Sequence, residues 1–317
     1  MTEVATRTLG RTGLTVTELC VGTSPLASMP MLYGHSVDEQ RAIDTVLAAL
    51  DSPIRFIDTS NNYGEHGESE QRIGAALRLV GGLPDDVVLA TKVDPLHGSD
   101  DFSGRRVRAS LAESLERLGV DRVPLLHLHD AERIGVEAAL APDGPVAALR
   151  ELKAEGAVDW IGLAGGTLAV AEPLMETGVF DVVLTHNRYT LLDRSADRLI
   201  DRATELGLGV LNAAPYGGGL LAKGPAATTK YAYGERPDMH EAAVRMAAAC
   251  AEFGVPLASA ALQFSTRDPR IHSTVVGVSA PERIAQTLES YSTPIPDELW
   301  DRLEQLVPPV ESWIGQR

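Results

Sequence analysis

Cysteine is scarce in this chain, and the two that occur do not form a familiar metal or redox motif. Cys20 and Cys250 are the only cysteines among 317 residues. A pair this far apart in sequence matches neither a zinc site nor a dithiol centre. Because disulfides are rare in reducing compartments, we expect two free thiols and a cytoplasmic protein.

Long apolar runs are also missing. No stretch approaches the roughly 18 apolar residues that a transmembrane helix requires. The N-terminal sequence Met-Thr-Glu-Val-Ala-Thr-Arg lacks the apolar segment of a secretory signal peptide. We therefore expect neither a membrane span nor a secretory leader.

Positive charge is in deficit. Lys and Arg number 28 against 44 Asp and Glu, so the formal net charge is −16. Such a surface disfavours nucleic acid and anionic membranes as partners, and a small-molecule partner is expected instead. A phosphate-bearing cofactor is still allowed, since helix N-termini and local cations can bind one. Nothing in the composition indicates an oligomeric state.

The chain does contain a repeated alternation of short β-rich runs and helical stretches. Eight strands are predicted, at Leu19–Gly22, Arg55–Asp58, Val87–Lys92, Val123–His129, Trp160–Ala164, Val182–Thr185, Val210–Ala213 and Thr274–Val278. The stretches between them carry apolar residues at spacings of three and four, as amphipathic helices do. This alternation predicts an α/β fold, a (β/α)8 TIM barrel, with residues 1–317 as a single domain.

Helices are predicted at Asp38–Leu50, Glu68–Leu79, Arg105–Leu118, Pro145–Glu155, Leu168–Thr177, Ser195–Leu206 and Glu241–Phe253. Two segments stand outside the repeat: Arg7–Val16 predicts an N-terminal β-hairpin, and Asp297–Leu306 predicts a C-terminal helix before a Pro-Pro tail. The longest irregular segment, residues 215–237, is rich in glycine and carries three tyrosines. Loops of this length are usually functional or mobile.

Polar residues follow or end three consecutive predicted strands. Asp58 ends the second strand and Tyr63 follows it, while Lys92 ends the third strand and His129 the fourth. In a parallel barrel these strand ends converge on one mouth, where catalytic groups lie. A Lys ammonium lowers the pKa of a nearby phenol, a carboxylate holds the ammonium, and an imidazole polarises a carbonyl. We therefore predict proton transfer to or from an oxygen while hydride moves at the adjacent carbon.

A metal centre is the alternative chemistry. His127 and His129 are two residues apart on one predicted strand and therefore share a face. Asp58, Asp130 and His97 could complete a ligand set like that of metal-dependent barrel hydrolases. No further ligand cluster follows on a later strand, which favours one histidine in the mouth and the other inside the barrel.

Signals for nucleotide binding lie late in the chain. No GxGxxG motif follows a strand, so the fingerprint of the doubly wound dinucleotide fold is missing. Loops after strands seven and eight are the usual phosphate position in barrels. Ser279 and Glu282 have the spacing of a helix capping box, and glycines allow close backbone approach to a ligand. The residues predicted there for cofactor binding are Tyr216, Gly217, Gly219, Gly277, Ser279 and Arg283.

Several segments share a pattern with a known family. They are Arg7–Val16, Phe56–Gly64 followed by Gly67–Glu70, Ala90–Val93 and Ser110–Asp121. With the spacing from Asp58 to Tyr63 and on to Lys92, they resemble the aldo-keto reductase superfamily almost from end to end. The resemblance implies a (β/α)8 barrel plugged at its bottom by the N-terminal hairpin. It also implies hydride exchange between NAD(P)(H) and a carbonyl or alcohol, with Tyr63 as general acid–base, Lys92 and Asp58 as its tuners and His129 as substrate orienter.

The sequence departs from the family pattern around the cofactor. Ala164-Gly165 stands where the family has Ser-Asn for the carboxamide of nicotinamide. His186 replaces a Gln, and Ala213 replaces the aromatic residue that stacks on the nicotinamide ring. These departures resemble the branch that contains bacterial NAD(P)-dependent aldose dehydrogenases, for fucose and threo-aldose, and pyridoxal dehydrogenase. The resemblance implies that these strand-end residues contact the cofactor.

The predicted function is that of an NAD(P)-dependent oxidoreductase acting on a carbonyl or alcohol, a sugar or polyol. NAD is favoured over NADP because a 2′-phosphate needs paired cations, and only Arg283 is near its expected position. Two alternatives stay open: a metal-dependent barrel hydrolase that uses His127 and His129, and a redox-sensing module that binds cofactor but turns over slowly. Substrate choice is expected in the loops Ser24–Ser36, Asp94–Gly104, Asp130–Gly144 and Pro215–Pro237 and in the tail near Trp313.

Overall fold

The computed structural model describes residues 3–96 and 98–315. Within these ranges β1 (Thr6–Thr8) and β2 (Thr15–Thr17) form an antiparallel hairpin. The barrel strands are β3 (Leu19–Gly22), β4 (Phe56–Asp58), β5 (Val88–Val93), β6 (Val123–His129), β7 (Val158–Gly165), β8 (Val182–His186), β9 (Gly209–Ala213) and β12 (Ser273–Gly277). They are parallel and close on themselves, because β12 pairs with both β9 and β3. A small antiparallel pair, β10 (Lys230–Tyr231) and β11 (Gly234–Glu235), lies outside the barrel.

The predicted barrel is confirmed, and every barrel strand lies within two residues of its predicted bounds. These strands are easy to recognise because both of their faces are buried, which gives near-continuous apolar runs. On β4 and β5, Phe56 and Ala90 point into the barrel, whereas Ile57 and Leu89 pack against the surrounding helices. The alternation places residues two apart on the same side of the barrel wall.

Helices cover the outside of the barrel. They are α1 (Pro30–Tyr33), α2 (Glu39–Asp51), α3 (Glu68–Val80), α4 (Gly104–Leu118), α5 (Gly135–Ala139), α6 (Pro145–Ala154), α7 (Leu168–Met175), α8 (Asp197–Glu205), α9 (Leu220–Lys223), α10 (Pro237–Glu252), α11 (Leu257–Thr266), α12 (Pro281–Ser292) and α13 (Asp297–Glu304). The helices predicted from the sequence are all present, including the C-terminal one. Asp38, predicted as the first residue of its helix, is instead the N-cap of α2 and accepts a hydrogen bond from the Arg41 amide at 2.9 Å.

Two helical regions differ from the prediction. Helix α10 begins at Pro237 rather than Glu241, since the fixed φ of proline suits the first turn of a helix. Residues 215–237 are not irregular throughout, because they contain α9 and the β10–β11 pair. These elements are only two to four residues long, so their sequences carry little periodicity.

The N-terminal hairpin closes the bottom of the barrel, as the sequence resemblance implied. Leu9 and Val16 are fully buried and belong to the apolar cluster inside the barrel. The Arg7 guanidinium anchors the hairpin by donating to the carbonyls of Asp268 at 2.7 Å and Thr266 at 2.8 Å. The barrel therefore has a packed bottom and a single mouth at the carboxyl ends of its strands.

Cys20 and Cys250 are both free and buried, which confirms the expected free thiols. Across residues 3–96 and 98–315, no single helix is long and apolar enough to cross a membrane. Helices α10 and α11 reach that length only together, and they are bent by 100° relative to each other.

Candidate active site

The structure brings the predicted residues Asp58, Tyr63, Lys92 and His129 together at the barrel mouth. Asp58 is the last residue of β4, Lys92 lies near the end of β5, and His129 ends β6. Tyr63 lies in the turn between β4 and α3. In the parallel pairing of β5 with β6, Lys92 is opposite His127. His129, two residues further along β6, therefore lies closer to the mouth than Lys92.

Lys92 is the centre of the arrangement. Its side chain is 1% exposed, and Nζ donates to Asp58 Oδ1 at 2.6 Å and to the Thr59 carbonyl at 2.6 Å. The third donor direction reaches the Tyr63 hydroxyl at 3.2 Å. A buried ammonium must have its charge balanced, and the adjacent Asp58 carboxylate provides that balance. The contacts expected among these three side chains are therefore present.

The turn that carries Tyr63 is held from below by α4. Arg106 donates to Asn61 Oδ1 at 3.1 Å, and Arg117 donates to the Asn61 carbonyl at 3.0 Å. A Cβ at Gly67, which has a φ of +74°, would lie 2.2 Å from Arg117 Nη1. Glycine is required here both by the left-handed backbone and by the approach of the guanidinium. Arg106 and Arg117 of α4, which are distant from Tyr63 in sequence, thus fix the position of its phenol.

The direction of the Tyr63 pKa corrects one expectation. Burial raises the pKa of the Tyr63 hydroxyl well above its ordinary value, and the Asp58 carboxylate raises it further. The Lys92 ammonium favours tyrosinate, but it does not outweigh burial and the surrounding carboxylates. The predicted net lowering of this pKa is therefore wrong, and Tyr63 is a neutral phenol at neutral pH.

His129 contacts a carboxylate that the sequence prediction did not select. Asp94, which follows β5, is 2% exposed, and its Oδ1 lies 2.7 Å from His129 Nδ1. Burial alone would lower the pKa of His129, but the charges of Asp130 and Asp94 outweigh it and raise the pKa to about 9. Asp130 Oδ1 lies 3.6 Å from His129 Nε2, at the solvent side of the mouth. The imidazole is thus a cation at neutral pH, and its ring meets the Tyr63 ring edge-on with centroids 5.8 Å apart.

His127 lies inside the barrel, the position expected for the second histidine of β6. It is fully buried inside the barrel, and neither ring nitrogen has a hydrogen-bond partner in the part of the chain described. Burial lowers its pKa well below the ordinary value. A Cβ at Gly162 would lie 2.0 Å from His127 Nδ1, so glycine on β7 makes room for the ring. His127 therefore fills the barrel interior.

The metal alternative finds no support. No group of three or more His, Cys, Asp or Glu side chains that could hold a metal ion occurs within residues 3–96 and 98–315. Asp58, one of the suggested ligands, is committed to Lys92. His97, another suggested ligand, lies outside the described residues.

The strand ends opposite Tyr63 carry the residues that depart from the family pattern. Ala164 and Gly165 close β7, His186 closes β8 and Ala213 closes β9. Burial lowers the pKa of His186 to about 4, so its ring is neutral at pH 7. A Cβ at Gly166 would lie 2.7 Å from the His186 ring, so β7 must be followed by glycine for the histidine to fit.

The glycine-rich segment after β9 has an internal packing role. Gly217 has a φ of +56°, and a Cβ there would lie 2.2 Å from the ring of Tyr231, which is fully buried. Gly219 has a φ of +102°, and a Cβ placed there would lie 3.6 Å from the Lys223 side chain. Tyr216 is half-buried, and burial raises its pKa to about 12. Close packing of this segment on itself explains Gly217 without any ligand.

The segment after β12 leaves a helix N-terminus uncapped by side chains. Gly277 and Arg283 are exposed and Ser279 is partly exposed. The predicted capping box is wrong, because Ala280 is the N-cap of α12 and no side chain caps it. Glu282 pairs with Arg41 of α2 instead. The N-cap position of α12 therefore provides no side-chain acceptor for the amides of the first turn.

These features fit a nicotinamide nucleotide. The ends of β7 and β9 carry only Ala and Gly, which leaves room for a flat ring beside the polar residues of the mouth. Asn187, which follows β8, has a buried Oδ1 without a hydrogen-bond partner among the described residues, and such an acceptor suits a carboxamide. The N-terminus of α12 and Arg283 offer a phosphate both amides and a cation.

Comparison with known proteins agrees with this geometry. The profile of the aldo/keto reductase family matches residues 18–308. The barrel superposes on an aldo-keto reductase of Bacillus halodurans, solved in its holo form, with a TM-score of 0.80 over 99% of this chain and 100% of that one. The sequence identity to that structure is 24%, so this likeness concerns the fold.

Three relatives are similar over most of their length. The D-threo-aldose 1-dehydrogenase of Pseudomonas sp. is 34% identical over 86% of this chain and 89% of its own. The L-galactose dehydrogenase of Arabidopsis thaliana is 33% identical, with 98% and 97% covered. The pyridoxal 4-dehydrogenase of Microbacterium luteolum is 31% identical, with 94% and 96% covered. The chain belongs to the aldo/keto reductase family and is an oxidoreductase that uses a nicotinamide nucleotide.

Proposed function

We propose that this protein is a dehydrogenase of neutral sugars or polyols, in which Tyr63 is the general acid–base. The observation that carries the proposal is the contact set of Lys92, whose Nζ lies 3.2 Å from the Tyr63 hydroxyl and 2.6 Å from Asp58. Two similar relatives are named as dehydrogenases of sugars. An acidic mouth with Asp130 and Glu132 suits uncharged polyhydroxylated substrates, whose hydroxyls donate to carboxylates.

The protein's own residues provide the proton chemistry. The nicotinamide nucleotide, when bound, accepts or supplies the hydride. In oxidation, Tyr63 starts as tyrosinate, which the Lys92 ammonium stabilises, and becomes the phenol when it takes the proton from the substrate hydroxyl. In reduction, Tyr63 starts as a phenol and gives its proton to the carbonyl oxygen. His129 donates to the same oxygen from Nε2 and orients it between the two side chains.

Replacing Tyr63 by Phe tests this assignment, because the substitution keeps the ring and removes only the hydroxyl. We expect kcat to fall by 10²-fold or more, the size typical of a general acid–base, while the Kd for cofactor stays unchanged. The measurement is a screen of sugars, polyols, pyridoxal and aromatic aldehydes with NAD(H) and NADP(H). Activity within a few-fold of the parent would contradict the role of Tyr63. Cofactor binding without turnover on any of these compounds would favour the redox-sensing alternative.

We also propose that NAD(H) binds at least as tightly as NADP(H). A 2′-phosphate requires paired cations, but near the start of α12 Arg41 is already paired with a carboxylate, which leaves Arg283 to bind the phosphate alone. Arg41 pairs with Glu282, and Arg283 donates to Gln286 at 2.7 Å. Titration of both reduced cofactors by fluorescence quenching measures the preference. A tenfold preference for NADPH, about 1.4 kcal/mol, would show that Arg283 or a lysine of the 215–237 segment turns towards the phosphate.

A further inference from the structure

Asp94 is the only carboxylate within hydrogen-bond distance of His129 Nδ1 among the described residues. Its Oδ1 lies 2.7 Å from that nitrogen, and its side chain is almost completely buried. The second oxygen, Oδ2, accepts from the Ser60 hydroxyl and from the Asn62 amide at 3.2 Å. The Asp94 amide in turn donates to Ser110 Oγ of α4 at 3.1 Å. Both oxygens and the backbone of Asp94 are thus held in place before substrate arrives.

This arrangement determines which nitrogen of His129 faces the substrate. A buried carboxylate accepts hydrogen bonds and does not donate them, so Nδ1 must carry a proton. Nε2 is left pointing to the mouth, where Asp130 Oδ1 lies 3.6 Å away. A second proton on Nε2 is favoured by the two carboxylates and opposed by burial and by the Lys92 charge. His127, His186 and Tyr63 also face the imidazole, and all three are uncharged at neutral pH.

We propose that Asp94 is a positioning residue that holds His129 as an imidazolium, with Nε2–H directed at the substrate oxygen. This rests on the proposed function, in which His129 and Tyr63 share that oxygen. A cationic donor stabilises the negative charge that develops on a carbonyl oxygen more strongly than a neutral imidazole does. The Asp94 carboxylate balances the charge, so the buried pair carries no net charge when the substrate is absent.

The first test compares Asp94→Asn with Asp301→Asn. Asparagine keeps the shape of the Asp94 side chain and an acceptor for Nδ1, but it removes the negative charge. Loss of that charge lowers the pKa of His129 from about 9 towards the ordinary value near 6.5. For carbonyl reduction we expect the alkaline limb of kcat/KM to move down by one pH unit or more, and kcat at pH 8 to fall at least tenfold. The Kd for cofactor should stay within twofold. Asp301 lies on α13, outside the predicted substrate loops, with an exposed side chain, and its variant should match the parent.

The second test reads His129 directly and needs no substrate. Histidine side chains are labelled with ¹⁵N, and His129 is assigned by the signal lost in His129→Asn. In the parent we expect an imidazolium spectrum at pH 7 and titration near 9. A neutral His129 at pH 7 would overturn the proposal, as would an alkaline limb in Asp94→Asn within 0.3 pH units of the parent, the resolution of a profile. If Asp94→Asn fails to fold, the parent titration decides alone, and it also separates this proposal from failure of the proposed function.

Discussion

Lys92 contacts both the Asp58 carboxylate and the Tyr63 hydroxyl, and its positive charge affects each of them. Its charge offsets the cost of burying Asp58 and also stabilises tyrosinate when the phenol gives up its proton. Because burial raises the pKa of Tyr63, tyrosinate is rare at neutral pH, and oxidation should be faster at alkaline pH. Reduction needs the phenol and should have no such requirement.

Replacing Lys92 by Met should move the pH optimum of oxidation further upward as well as lower the rate. Without the ammonium, nothing opposes burial and the carboxylates, so the pKa of Tyr63 rises again. The measurement is kcat for oxidation between pH 7 and 11. Since the single substitution leaves the buried Asp58 unpaired, the double variant Asp58→Asn/Lys92→Met is the matched control for stability. An unchanged pH profile at reduced rate in both variants would mean that Lys92 only supports the structure.

For single residues, the sequence predicted which side chains lie at the mouth, but it did not predict their protonation states correctly. Asp58, Tyr63, Lys92 and His129 were predicted because strand ends are visible as breaks in apolar runs. Asp94 was predicted only as the start of a substrate loop. It could have been found by alternation, since Asp94 is two residues after Lys92 and therefore continues the inward face of β5. The direction of the Tyr63 pKa depends on how deeply the hydroxyl is enclosed, which no sequence pattern shows.

Helix α4 acts as the support of the site although none of its residues reaches the mouth. Arg106 is buried and donates to both oxygens of Glu113, at 2.6 and 2.7 Å. It also reaches Asn61 Oδ1 at 3.1 Å and the Asp94 carbonyl at 3.3 Å. One guanidinium therefore ties the turn that carries Tyr63 to the loop that carries Asp94.

Replacing Arg106 by Met should lower both stability and activity. Loss of several charge-assisted hydrogen bonds should reduce the free energy of unfolding by about 2 kcal/mol. The turn before α3 should loosen, and kcat should fall about tenfold because Tyr63 is less well placed. Urea denaturation and steady-state kinetics measure the two effects. Arg105→Met is the control, since Arg105 is the exposed neighbour on α4 and its variant should resemble the parent. Equal midpoints for the two variants would contradict the supporting role.

The helices and strands that were predicted have a periodic sequence pattern of their own, whereas those that were missed do not. Barrel strands and amphipathic helices carry their own periodicity, and they were located within a few residues. Helix α11, Leu257–Thr266, was not named because it contains no charged residue, so no charged face marks it as an amphipathic helix. The β10–β11 pair exists because Tyr231 inserts against Gly217, a contact between residues 14 positions apart that local patterns do not reveal.

At the scale of the whole molecule, the protein has a formal net charge of −16, although its nicotinamide cofactor is itself an anion. NADP(H) carries more negative charge than NAD(H), so the overall field opposes it more strongly. Salt screens this field: the Debye length falls from about 30 Å at 0.01 M to about 10 Å at 0.1 M.

Raising the ionic strength from about 0.01 M to about 0.1 M should therefore reduce the difference in affinity between NADH and NADPH. We expect the ratio of the Kd for NADPH to the Kd for NADH to fall by about twofold or more, because repulsion is screened more for the more highly charged ligand. Fluorescence titrations at both salt concentrations measure this ratio, with Arg283→Gln as the comparison for a local contribution. If the ratio rises with salt, a local cation pairs with the 2′-phosphate and dominates the overall field.

The closure of the barrel also affects how the chain is made. β3 gains its second neighbour only when β12 is present, about 250 residues later in the chain. Until the ribosome has released Ser273–Gly277, β3 and β9 both keep an open edge, and such edges invite pairing with other chains. Contacts between residues so far apart in sequence form slowly. A nascent chain that stalls before β12 is thus an unclosed sheet, and the barrel mouth is complete only after β12 has emerged from the ribosome.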